Sequence, residues 1–151
     1  MRIRVSKRED LKQIQVIEAT SFPIPWPISN FHSVLNRSPE LFLFAEEEKL
    51  VGYIIGEIRE LIISGISHRS KAGHIMNIAV EREWRERGVG SLLLDEIETR
   101  FKDGTAQQVT LEVRESNTTA RTFYVNRGYE DIGRVRAYYG DEDAIIMRKL
   151  L

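Results

Sequence analysis

Cysteine is absent from this 151-residue chain. A disulfide framework, a thiolate zinc site and a cysteine nucleophile are therefore excluded, and the chain fits a reducing compartment. Histidine is scarce. His32, His68 and His74 lack the close spacing of metal ligands, so no catalytic metal is expected. Neither sign of charge dominates: 22 Lys and Arg stand against 23 Asp and Glu, a formal net charge of -1. That balance gives no footprint for nonspecific nucleic-acid binding. No apolar run is long enough to cross a membrane, and the opening MRIRVSKRED lacks the apolar core of a signal peptide. The expectation is a cytoplasmic protein with no membrane role and no direct nucleic-acid role.

What is present is an ordinary globular balance, 42% hydrophobic and 30% charged residues. That length and balance predict one domain over residues 1–151. Arg2 to Val5 alternates as a short strand, and Ser6 with Glu9 fits a capping box. Leu11, Ile14 and Ile17, with Val16 beside them, supply a helical apolar face. Three of the four prolines fall between Thr20 and Pro27 and end that helix. Ser29 is placed to cap a second helix carrying Phe31, Val34 and Leu35. Leu41 to Ala45 and Val51 to Ile58 read as a hairpin, and Ile62 to Gly73 as a loop or extended strand ends. His74 to Val80 is strand-like, and Val89 to Phe101 is a helix with Gly104 after its end. Val109, Leu111 and Val113 alternate with polar residues in a further strand. Asn117 caps a helix that exits at Gly128, and two strands near Tyr129–Tyr138 and Ala144–Leu150 close the chain. A strand–helix–strand unit inside antiparallel hairpins predicts a mixed α/β sheet covered by helices.

The turn Arg85-Glu86-Arg87-Gly88-Val89-Gly90-Ser91 lies between the His74–Val80 strand and the long helix. Glycines there let backbone N–H groups gather at a helix start, a ready anion site, with Arg85 or Arg87 as a charged partner. Neither a nucleotide-hydrolysing P-loop nor a full dinucleotide fingerprint is present.

Arg85-x-x-Gly88-x-Gly90 resembles the cofactor motif of the GCN5-related N-acetyltransferase family, and the element order is similar as well. Five further segments resemble the RimI and Ard1 groups of N-terminal protein acetyltransferases. They are Ser21-Phe22-Pro23-x-Pro25-Trp26; Gly73-His74-Ile75-x-Asn77-Ile78-Ala79-Val80; Leu111-Glu112-Val113-Arg114-x-Ser116-Asn117-x-x-Ala120; Phe123-Tyr124-x-x-x-Gly128-Tyr129; and Tyr138-Tyr139-x-Asp141-x-x-Asp143-Ala144-x-x-Met147.

The resemblance implies a single mixed-sheet acetyltransferase fold with a central strand–helix–strand cofactor site. It implies acetyl-CoA as cofactor, its pyrophosphate meeting backbone amides near Arg87 to Ser91. Ile78, Ala79 and Val80 would hold the acetyl end, and Asn117 would approach the cofactor. Glu112 is the implied general base, reached directly or through water; alternation already turns it away from the face of Leu111 and Val113. Tyr124 is implied as the acid for the leaving thiolate, and His74 as a helper in removing the amine proton. Phe22, Pro23, Ile24, Trp26 and Asn77, with Tyr138 and Tyr139, are the implied substrate contacts. In a regular strand those two tyrosines face opposite sides. The implied acceptors are protein or peptide N-termini: a ribosomal protein by the RimI resemblance, broader targets by the Ard1 resemblance. A monomer or weak homodimer is expected. Acetylation of a small-molecule amine and a noncatalytic acetyl-CoA sensor remain open alternatives.

Overall fold

The computed structural model describes residues 1–62 and 69–151. Residues 63–68, His68 among them, lie inside the segment read as loop or strand ends and outside the described residues. The elements are β1 (Arg2–Val5), α1 (Leu11–Ser21), α2 (Ile28–Arg37), β2 (Phe42–Glu46), β3 (Leu50–Ile62), β4 (Arg69–Val80), α3 (Val89–Asp103), β5 (Gln108–Arg114), α4 (Thr118–Asn126), β6 (Glu130–Val135) and β7 (Ala144–Leu150). The strand order is β1-β2-β3-β4-β5-β7-β6. β4 and β5 pair in parallel, whereas β1–β2, β2–β3, β5–β7 and β6–β7 are antiparallel. This is the expected mixed sheet with helices in its connections.

The chain forms two compact units. The first comprises Met1–Glu57 and Met76–Arg100. Its core joins Leu11, Ile14 and Ile17 of α1 and Phe31 and Val34 of α2 to Phe42, Phe44, Tyr53 and Ile55 of the β2–β3 hairpin. Register puts Phe42 opposite Ile55 and Phe44 opposite Tyr53 on one face and Leu43 opposite Ile54 on the other, and all six are buried. Full burial of each such side chain contributes roughly 1.5–3 kcal/mol. Val16 is 64% exposed, while Glu18 is buried in its stead. The capping contact also sits one residue later than expected. Lys7 N–H donates to Asp10 at 2.7 Å, and the Ser6 hydroxyl is buried with no partner among the described residues. Pro27, not Ser29, is the N-cap of α2; its fixed φ of -67° suits the extended entry to the helix.

The second unit comprises Ile58–Ile75 and Phe101–Leu151. Buried and half-buried residues alternate along β5, with Val109, Leu111 and Val113 inward. Asn117 caps α4 as expected, its side chain accepting from Ala120 N–H at 3.1 Å. The left-handed residue beyond α3 is Thr105 rather than Gly104. β6 is bulged between Asp131 and Gly133, and all six of its residues are exposed.

Gly73 is required by packing. A Cβ there would stand 2.3 Å from Phe101 ring carbons, well inside van der Waals contact. Gly73→Ala is expected to cost about 1–3 kcal/mol by overpacking. A urea melt should show a lower midpoint at unchanged slope, and an unaltered midpoint would contradict the contact.

Candidate active site

In the second unit, parallel pairing sets His74 of β4 opposite Thr110 of β5. Two residues further on, Glu112 projects from the same face of β5. The His74 imidazole spans both: Nδ1 is 2.7 Å from Thr110 Oγ1 and Nε2 is 2.8 Å from Glu112 Oε2. His74 is only 4% exposed. Burial alone pushes the Glu112 carboxyl up, but the hydrogen bond and charge of His74, with the charge of Arg59, more than offset it. The net result lies below the usual glutamate range. An ionised carboxylate only accepts, so Nε2–H donates to Glu112. Nδ1 faces the Thr110 hydroxyl, which can either donate to that nitrogen or accept from it. Both ring nitrogens are engaged, an arrangement that can hold or pass a proton between imidazole and carboxylate. The sequence signal for Thr110 is its i, i+2 spacing to Glu112 on a strand that alternates buried and half-buried residues.

Tyr124 of α4 is buried, its ring 5.3 Å from that of Phe123 and 5.5 Å from that of Tyr129. Burial, then the nearby Tyr139, raises its phenol above the ordinary value, so the group stays protonated. Tyr138 and Tyr139 depart from the strand expectation. They lie in the turn between β6 and β7, bracketed by left-handed Ala137 and Gly140, and their rings meet each other at 4.9 Å. Tyr138 is 52% exposed. Tyr139 carries the Arg114 guanidinium 4.3 Å above its ring, and burial pushes its phenol up to about 12. Arg114 also binds Asp141 at 2.9 Å and Glu142 at 3.0 Å, and Asp143 binds Arg134 at 3.0 Å. The two aspartates therefore brace this turn.

In the first unit, α3 begins at the glycine turn. Glu86 and Gly88 both have positive φ, 62° and 83°, and a Cβ on Gly88 would meet nothing within 4 Å. The first helical bond runs from Leu92 N–H to the Gly88 carbonyl. The N–H groups of Val89, Gly90 and Ser91 have no backbone acceptor among the described residues. An open cradle of amides at a helix start fits a phosphate-bearing group. The Arg85 guanidinium also bonds within the protein. It donates to the Val80 carbonyl at 2.9 Å and to Ser21 Oγ at 3.2 Å, tying the turn to the ends of β4 and α1. Arg87 is exposed and stacks 5.1 Å from the Trp84 ring. At the end of β4, Ala79 is buried while Ile78 and Val80 are half-buried.

The Phe22–Trp26 segment joins α1 to α2. Pro23, Ile24 and Pro25 are exposed, and Trp26 packs 5.3 Å from the Phe31 ring. The Asn77 amide nitrogen donates to Glu18 at 2.8 Å, so this part of the expected substrate contact serves a buried network.

Residues 11–129 match the Acetyltransferase (GNAT) family. The chain belongs to this family. GNAT enzymes are acetyl-CoA-dependent, and this chain is a transferase of that kind. It is 37% identical over 152 residues to an uncharacterized N-acetyltransferase of Methanocaldococcus jannaschii, covering 99% of this chain and 91% of the relative. It is 34% identical over 152 residues to the N-alpha-acetyltransferase of Sulfurisphaera tokodaii, covering 97% and 90%. Among solved structures, Naa20 of Chaetomium thermophilum in complex with a bisubstrate analogue superposes with a TM-score of 0.90 at 28% identity, covering 100% of this chain and 87% of that one.

Proposed function

We propose that this GNAT enzyme transfers an acetyl group from acetyl-CoA to the N-terminal α-amine of a protein, with ribosomal-protein N-termini among the fitting acceptors. The observation that carries the reading is the His74–Glu112 pair: a carboxylate held ionised and oriented on a sheet face by a buried imidazole. The similarity to a protein named as an N-alpha-acetyltransferase supports the acceptor class.

The chain's own residues divide the work. Backbone amides of Val89, Gly90 and Ser91 cradle the pyrophosphate, and exposed Arg87 adds charge. The backbone of Ile78 to Val80 holds the acetyl end, and Asn117 contacts the cofactor beside its capping role. When bound, acetyl-CoA supplies the activated thioester. Glu112 accepts the proton of the amine, whose reference pKa of about 8 makes its neutral form accessible. Tyr124 keeps its proton and gives it to the leaving sulfur. The family resemblance assigns acceptor contacts to Phe22, Pro23, Ile24 and Trp26 in the first unit, and to Tyr138 and Tyr139 in the second.

A peptide panel tests this. Each peptide is supplied with a free or a blocked α-amine, beside internal-lysine peptides and small amines, and mass spectrometry locates the acetyl group. The expected product carries acetyl on the α-nitrogen, and blocking abolishes it. Acetylation confined to lysine side chains or small amines would overturn the reading.

A further inference from the structure

Glu18 is a charged residue on the buried face of α1, only 1% exposed. Its carboxylate receives three donors. Trp26 N–H donates to Oε1 at 3.0 Å, Asn77 Nδ2–H donates to Oε2 at 2.8 Å, and the Tyr53 hydroxyl also donates to Oε2. Asn77 further approaches the Tyr53 oxygen at 3.4 Å. The Glu18 main-chain carbonyl accepts from Phe22 N–H at 3.1 Å. Glu18 thus takes hold of both ends of the Phe22–Trp26 segment, by backbone at one end and side chain at the other. Between those ends lie two prolines with restricted φ and one large side chain, Ile24, which is 68% exposed.

Such an arrangement exceeds what a helix end requires. Burying a carboxylate costs several kcal/mol unless donors surround it. An apolar residue at position 18 would extend the core formed by Ile14 and Ile17 without that cost. What an apolar residue would lose is the grip on Trp26 N–H. Held there, a loop with two prolines keeps little freedom, so little entropy is lost when a ligand packs against it.

We infer that Glu18 is a positioning residue for the acceptor. Its carboxylate, itself fixed by Tyr53 and Asn77, holds the Phe22–Trp26 loop so that Ile24 is presented to the acceptor's first side chain. The inference rests on the reading that this loop borders the acceptor.

The test uses the full chain with whichever amine the wild-type enzyme acetylates, and measures kcat, both KM values and amide hydrogen exchange at Trp26. In Glu18→Ala the acceptor KM is expected to rise about tenfold, with acetyl-CoA KM and kcat within about twofold. Exchange at Trp26 N–H should accelerate by at least about tenfold. Glu18→Gln, whose amide oxygen can still accept from Trp26, should recover most of the acceptor KM. An acceptor KM within twofold of wild type in Glu18→Ala, or an equal rise in both KM values, overturns the inference. Should Glu18→Ala not fold, Ile24→Gly removes the presented side chain at the surface and carries the same expectation of a selective rise; an unmoved acceptor KM overturns it. A wild-type enzyme that acetylates only small amines or lysines refutes the proposed substrate class, while the Glu18 comparison proceeds on that acceptor.

Discussion

Glutamine at position 112 is expected to lower kcat/KM by about 10²–10⁴-fold, the range for losing a general base. The substitution keeps shape, and its amide oxygen can still accept from His74 Nε2–H, so the β4–β5 contact and the fold should persist. The pH profile carries further information. Glu112 sits below the ordinary glutamate range, so it is ionised throughout the neutral region and sets no limb there. The rise of kcat/KM with pH in the wild-type enzyme should therefore follow the acceptor amine, near pH 8. In Glu112→Gln the same rise should remain while its plateau falls. Stability moves with a defined sign. A carboxyl depressed in the folded state contributes stability above its unfolded value of about 4.3, and loses it as pH falls through the folded value. The wild-type protein should consequently lose more stability than Glu112→Gln on passing from pH 7 to below pH 4, read from urea midpoints. Wild-type turnover in Glu112→Gln would remove Glu112 from the chemistry.

The second large effect is expected at Tyr124. Phenylalanine there retains the ring contacts to Phe123 and Tyr129 and removes only the hydroxyl. Because burial keeps that hydroxyl protonated, its role is to donate, and a donor to a leaving thiolate acts late in the reaction. Tyr124→Phe is expected to reduce kcat about 100-fold, with acetyl-CoA KM within about twofold. A thermal melt within a few degrees of wild type would separate lost chemistry from lost packing. Unchanged kcat would reassign Tyr124 to structure alone.

The features legible in the sequence were those set by short-range rules. The period of two along β5 placed Glu112 opposite the core face, and the side-chain oxygen of Asn117 marked the start of α4. The glycine turn was legible because small residues and positive φ go together, though Glu86 shares that conformation without being glycine. Features set by distant partners were missed. Asp10 rather than Glu9 turns back to Lys7 because Arg4 also holds it, at 3.2 and 3.3 Å. Glu18 looks like a surface charge until Tyr53 and Asn77, remote in sequence, supply its donors. The sequence offers Arg85 or Arg87 as a phosphate's charged partner, and nothing local announces the bonds of Arg85 to Val80 and Ser21. Tyr138 and Tyr139 read as strand because aromatic residues favour strands, and nothing local announces left-handed Ala137.

β6 ends the strand order with six exposed residues and a bulge. An open strand edge invites growth by addition of another chain, the first step of aggregation. Here Glu130 is engaged with Arg148, Asp131 with Arg121, and Arg134 with Glu115 and Asp143. An incoming strand would have to displace charged side chains from both ends of β6 and match a kinked register. The molecule can therefore leave this edge open to water in a crowded solution without recruiting its neighbours into a fibre.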